Sequence, residues 1–78
     1  MQTVVIYTRP GCRACRQVKA YLARRGVRFT ERNVADDPAA MQELLARGSL
    51  MTPTIVIDDE HVVIGFDPAR LDELLERE

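Results

Sequence analysis

The stretch TVVIY, residues 3–7, constrains this chain most. A run of β-branched and aromatic residues without polar alternation reads as a strand buried on both faces, so packed layers are needed above and below it. Pro10-Gly11 breaks the run. From Cys12 to Arg25 the apolar residues Cys15, Val18 and Leu22 then recur at spacings of three and four, flanked by Ala14 and Tyr21, which is a helical stripe. Gly26 stands where a helix C-cap belongs. Residues 27–34, VRFTERNV, alternate imperfectly around Val27, Phe29 and Val34 and read as a second strand.

Asp37-Pro38 is a helix start, with Asp as N-cap and Pro at the first helical position. Met41, Leu44 and Leu45 are the expected buried face of that helix, and Gly48 ends it. PTIVI (53–57) and HVVIG (61–65) read as two strands joined as a hairpin through Asp58-Asp59-Glu60. Asp67-Pro68 repeats the helix start, and Leu71, Leu74 and Leu75 supply the last helix's apolar side. The order is β-α-β-α-β-β-α. Strands separated by a helix pair in parallel through a right-handed crossover, and the hairpin adds antiparallel strands. The expected class is α/β: one domain over residues 1–78, a four-stranded mixed sheet with helices on both faces and the first strand central.

Charge is unevenly placed. Residues 1–30 carry seven basic residues and no acid, whereas residues 31–78 carry all twelve acids and only four bases. The acidic pI and the lack of aromatics among the basic residues argue against nucleic-acid binding. No apolar run approaches the ~20 residues that span a bilayer. The N-terminus has no basic stretch ahead of its apolar part, so a cytoplasmic location is expected, where a permanent disulfide is disfavoured.

Both cysteines, Cys12 and Cys15, fall in the basic half, beside Arg9, Arg13 and Arg16. Cys12 lies where a central strand turns into a helix, and free N–H groups and the positive end of the helix dipole favour an anion there. Cysteines in such positions have pKa values lowered from about 8.5 to roughly 3.5–7.5. The three arginines push the same way, and the thiolate is the attacking species in disulfide exchange. Cys15 is one turn further on, on the apolar stripe, where a sheltered thiol can reach back to Cys12. A zinc site needs four ligands, whereas two cysteines and His61, read as an exposed strand residue, supply three at most. Two other classes stand beside a redox enzyme: an iron–sulfur cluster carrier with Cys12 as its chain's only ligand, and an adaptor that uses only the surface.

IYTRPGCRACRQVKAYL resembles the active-site strand, turn and helix of glutaredoxins, within the thioredoxin superfamily. MTPTIVID resembles that family's Thr-Val-Pro stretch, and VIGFDPARLDELL its Gly-Asp region before the final helix. The resemblance implies a thioredoxin-like fold and dithiol–disulfide exchange on protein or mixed disulfides. Cys12 would be the nucleophile and Cys15 the resolving thiol. Pro53 would be a cis-proline beside the thiols, and Thr52 would pair its backbone with the substrate. Arg9 would meet a glutathione carboxylate, and Gly65, Phe66 and Asp67 would receive its γ-glutamyl end. Tyr7 would lie on the approach to the site or pack in the core. Arg13-Ala14 replaces the Pro-Tyr found between the cysteines of many glutaredoxins, and a single glycine, Gly65, precedes Phe66-Asp67-Pro68. That last pattern also resembles NrdH-redoxins, which take electrons from thioredoxin reductase and reduce ribonucleotide reductase. The expected protein is a monomer without bound metal or organic cofactor. Its partners would be disulfide-containing proteins; Arg9 and Asp67 favour glutathione or another low-molecular-weight thiol as co-substrate and electron donor, with thioredoxin reductase as the alternative.

Overall fold

The computed structural model describes residues 2–75. Seven elements follow in order: β1 (Val4–Thr8), α1 (Arg13–Arg24), β2 (Thr30–Asn33), α2 (Pro38–Ala46), β3 (Thr54–Ile57), β4 (His61–Ile64) and α3 (Pro68–Leu75). The sheet order is β2-β1-β3-β4. β1 runs parallel to β2 and antiparallel to β3, and β3 and β4 form the hairpin. The expected mixed sheet is present, and the central position of β1 explains why Val4, Ile6, Tyr7 and Thr8 are all buried.

Two apolar layers hold the sheet. On one face Ile6, Ile55, Ile57 and Val63 meet Val18 and Leu22 of α1 and Leu71, Leu74 and Leu75 of α3. On the other, Tyr7 and Val56 meet Val34 and α2's Ala40 and Leu44. Tyr7 is therefore a core residue. Its hydroxyl donates to Glu43 Oε1 at 3.0 Å, and burial, reinforced by the Glu43 carboxylate, holds the phenol above its ordinary pKa.

Two expectations need correction. The second strand is shorter than residues 27–34, because Gly26 (φ 71°) and Val27 belong to the end of α1. Gly26 N–H donates to Ala23 O and Val27 N–H to Leu22 O, each at 3.0 Å, which satisfies carbonyls the helix leaves open. Val27 and Phe29 then pack on the α1/α3 layer, and only the polar TERN segment pairs with β1. Leu45, expected in the buried face of α2, is 50 % exposed, and Ala40 takes its place in the core.

The hairpin turn places Asp58 and Asp59 at φ 56° and 57°. Aspartate tolerates this left-handed region better than most residues, and consecutive positive-φ positions match the twist of antiparallel strands. Arg47, just past α2, pairs with Asp59 and fixes the turn from outside.

Candidate active site

β1 ends at Thr8, and residues 9–12 cross from the middle of the sheet to the start of α1. Cys12 is the N-cap, with extended φ −86° and ψ 108°, one residue before the helix proper. Its sulfur takes the acceptor role that Ser or Asp commonly fills, and the Cys15 backbone N–H donates to Cys12 Sγ at 3.1 Å. Cys12 and Cys15 are disulfide-bonded, with their Cα atoms 5.2 Å apart. Cys12 Sγ is thus a disulfide sulfur here; in the reduced protein the same position holds the thiol or thiolate. Cys12 is half-buried, whereas Cys15 is 2 % exposed among the buried residues of α1.

The first turn of α1 contains no acid, although it carries Arg13 and Arg16, both exposed. Cations at a helix N-terminus oppose the macrodipole, so helix stability does not account for them. Positive charge placed there would add to the dipole's positive end at Cys12 and favour a thiolate.

The facing wall is the segment between α2 and β3. The Thr52–Pro53 bond is cis and Pro53 is buried. Thr52 Oγ1 lies 3.8 Å from Cys12 Sγ as a hydroxyl donor to sulfur. The segment is held by buried hydroxyls. Met51 N–H donates to Ser49 Oγ at 3.1 Å, Thr54 Oγ1 donates to Met51 O at 2.7 Å, and Ser49 and Thr54 share a 2.8 Å hydrogen bond. Because Thr54 gives its proton to Met51, Ser49 is the donor in the shared bond. Arg9 bridges the two walls: its Nη1 donates to Leu50 O at 3.1 Å and to Thr52 Oγ1 at 3.5 Å.

Gly65 N–H donates to Pro53 O at 2.8 Å, which brings the segment after β4 against the cis-proline. Within that segment, Phe66 points into the α1/α3 layer and meets Tyr21 edge-on at 5.7 Å. Asp67 is exposed and caps α3, accepting the Arg70 N–H on Oδ1 at 3.1 Å. The fold therefore gathers Cys12, Cys15, Arg9, Thr52, Pro53 and Gly65 into one cluster. Phe66, partly buried, packs against the α1/α3 layer, and Asp67 stands at the head of the last helix. His61 opens β4 beside Glu60, with 3.7 Å between Nε2 and Oε2.

Sequence reasoning missed the Ser49–Thr54 bond, for which no pattern signals, and the surface beside Thr52. Leu50 and Met51 are 64 % and 62 % exposed, an apolar pair at the rim of the cysteine site. A cleft of about 610 Å³ lies elsewhere, on the α2 face between Tyr7, Arg32, Glu43 and Arg47, and no cysteine lines it. Among the described residues no group of three or more His, Cys, Asp and Glu is placed to hold a metal ion. No helix among them is long and apolar enough to cross a membrane.

Residues 4–62 match the sequence profile of the glutaredoxin family. A glutaredoxin-like 8.6 kDa protein from the rubredoxin operon of Clostridium pasteurianum is 30 % identical over 74 residues, covering 95 % of this chain and 99 % of its own. The crystal structure of the thioredoxin-like protein BC3987 superposes with a TM-score of 0.87 at 40 % identity, over 92 % of this chain and 99 % of that one. The NrdH-redoxin of Escherichia coli, a glutaredoxin-like protein with a thioredoxin-like activity profile, gives 0.82 at 30 % identity, over 92 % and 93 %. The four-stranded mixed sheet with its three helices is thus a thioredoxin-like fold.

Proposed function

The chain belongs to the glutaredoxin family of thiol–disulfide oxidoreductases, and on that premise we propose that it reduces disulfides of cytoplasmic proteins and is itself reduced by a thioredoxin reductase. The placement of the two cysteines carries the reading: a half-buried Cys12 on a helix N-cap, and a buried Cys15 a turn inside. The Cys12 thiolate attacks one sulfur of the substrate disulfide, that bond breaks, and a mixed disulfide forms while the leaving thiolate takes up a proton. The Cys15 thiol then loses its proton and attacks Cys12 Sγ. The Cys12–Cys15 disulfide forms, and the second substrate thiol departs reduced. Two electrons have passed from the dithiol to the substrate, and the reductase returns two.

Two observations favour a protein donor. Leu50 and Met51 offer an apolar contact next to the site. The Escherichia coli NrdH-redoxin, a near structural match, has a thioredoxin-like activity profile. The second reading, glutathione or another low-molecular-weight thiol as co-substrate, is favoured by Asp67, an exposed carboxylate that uses one oxygen for the cap and could hold an amino group with the other. The two are separated by supplying NADPH with thioredoxin reductase, or with glutathione and its reductase, and following which mixture reduces a protein disulfide through this chain.

A further inference from the structure

We propose that Arg9 is a positioning residue that orients the Thr52 hydroxyl onto the reactive sulfur, so that Arg9, Thr52 and Cys12 form a directed hydrogen-bond chain stabilising the thiolate. The inference rests on Cys12 acting as the exchange nucleophile.

The geometry carries it in two steps. Arg9 Nη1 has two hydrogens, and the structure gives each a separate acceptor: Leu50 O at 3.1 Å and Thr52 Oγ1 at 3.5 Å. The first contact fixes the loop, and the second occupies a lone pair of the hydroxyl. A hydroxyl that accepts from a guanidinium must turn its own proton elsewhere, and Cys12 Sγ, 3.8 Å from Oγ1, is the sulfur in reach. A donor polarised by a cation is a stronger donor in turn, and its effect on sulfur is greatest when the sulfur is negative. Together with the Cys15 N–H at 3.1 Å, Sγ then has two donors from opposite walls of the cleft. Thr52 thus touches the reacting atom, and Arg9 acts through it. This role differs from that of a cation waiting for a ligand carboxylate: it uses the two Nη1 hydrogens, toward Leu50 O and Thr52 Oγ1, and acts with no ligand present.

The test uses the reduced protein in a Cys15→Ser background, so that only Cys12 reports, and measures its alkylation rate by iodoacetamide across pH. Arg9→Ala and Thr52→Val should each raise the titration midpoint and lower the rate below that midpoint by ~3- to 10-fold. Thr52→Ser, which keeps the hydroxyl, should follow the Thr52 profile. The double variant Arg9→Ala/Thr52→Val should fall no further than either single one, since breaking either link breaks the chain. A drop from Arg9→Ala that persists in full in the Thr52→Val background would show Arg9 acting through its field alone and overturn the proposal. An unchanged profile in Thr52→Val would do the same. A Cys12 that titrates near an unperturbed thiol in the starting protein would instead sink the assignment of Cys12 as the nucleophile.

Discussion

Cys15 donates its backbone N–H to Cys12 Sγ at 3.1 Å, yet its own sulfur is almost completely buried. One residue therefore serves the thiolate in two ways that do not interfere. On the proposed mechanism its main chain would stabilise the attacking sulfur, and its side chain would wait behind for the resolving step. Replacing the Cys15 side chain leaves the amide in place, so the first step should survive the loss of the second.

That separation predicts the behaviour of the two serine variants. Cys12→Ser should abolish exchange with a disulfide substrate. Cys15→Ser should still form the mixed disulfide at a rate within ~10-fold of the parent, because its amide donor remains, and then accumulate it. Mass spectrometry of the trapped adduct is the measurement. Alkylation of the reduced parent should mark Cys12 first, and preferential marking of Cys15 would reverse the assignment.

Arg13 and Arg16 are exposed cations in the first turn of α1, so their influence on Cys12 passes largely through solvent. Arg13→Gln/Arg16→Gln should raise the Cys12 pKa by no more than about one unit, with the amide and helix terminus still in place. The shift should shrink as salt is added, since the Debye length falls to ~3 Å at 1 M. It should also favour the disulfide over the dithiol. Ultraviolet thiolate absorbance against pH at two ionic strengths reads the effect, and identical curves for parent and variant would reduce these arginines to a solvated face.

Glu31 ties three elements together near the end of β1. It accepts from Thr8 Oγ1 at 2.9 Å and from Lys19 Nζ at 3.1 Å. The Lys19 ammonium, and after it the Thr8 hydroxyl, hold the carboxyl below its usual 4.5. A carboxyl whose folded pKa is depressed adds stability that is present above the unfolded value and lost as pH falls through the folded one. Denaturant titrations of parent and Glu31→Gln should therefore differ most above about pH 4.5 and converge in stronger acid. Both side chains are about a third exposed or more, so the difference should stay below about 1 kcal/mol. A gap that widens on acidification would contradict the sign.

Much of this was legible in the residues. Unbroken TVVIY required a central strand, paired Asp-Pro starts located α2 and α3, and a cysteine pair straddling a strand-to-helix turn located the chemistry. What periodicity could not show were contacts between segments far apart in the chain. Arg9 and Leu50 are 41 residues apart, and nothing in either neighbourhood announces a hydrogen bond between a guanidinium and a carbonyl. Phe66 lies in a segment that resembles a ligand site, yet its ring meets Tyr21, on a different element, at the margin of the core. Val27 and Phe29 mimic strand alternation because the cap of α1 and the core both claim apolar residues there.

The electron donor can be tested from both sides of the site. Leu50 and Met51 are largely exposed, and burying such side chains against a partner contributes roughly 1.5–3 kcal/mol each when burial is complete. Leu50→Ser/Met51→Ser should therefore raise the KM for thioredoxin reductase by about tenfold or more, corresponding to ~1.4 kcal/mol, while leaving the Cys12 pKa in place. Asp67 supplies the opposite arm. Asn caps helices as well as Asp does, so Asp67→Asn keeps the bond to the Arg70 N–H while removing the negative charge that a zwitterionic thiol would need. With a reductase donor, Asp67→Asn should turn over like the parent and the apolar pair should control the rate. If turnover instead depends on glutathione and falls severalfold in Asp67→Asn, while Leu50→Ser/Met51→Ser remains fully active, the small thiol is the donor and Asp67 its anchor.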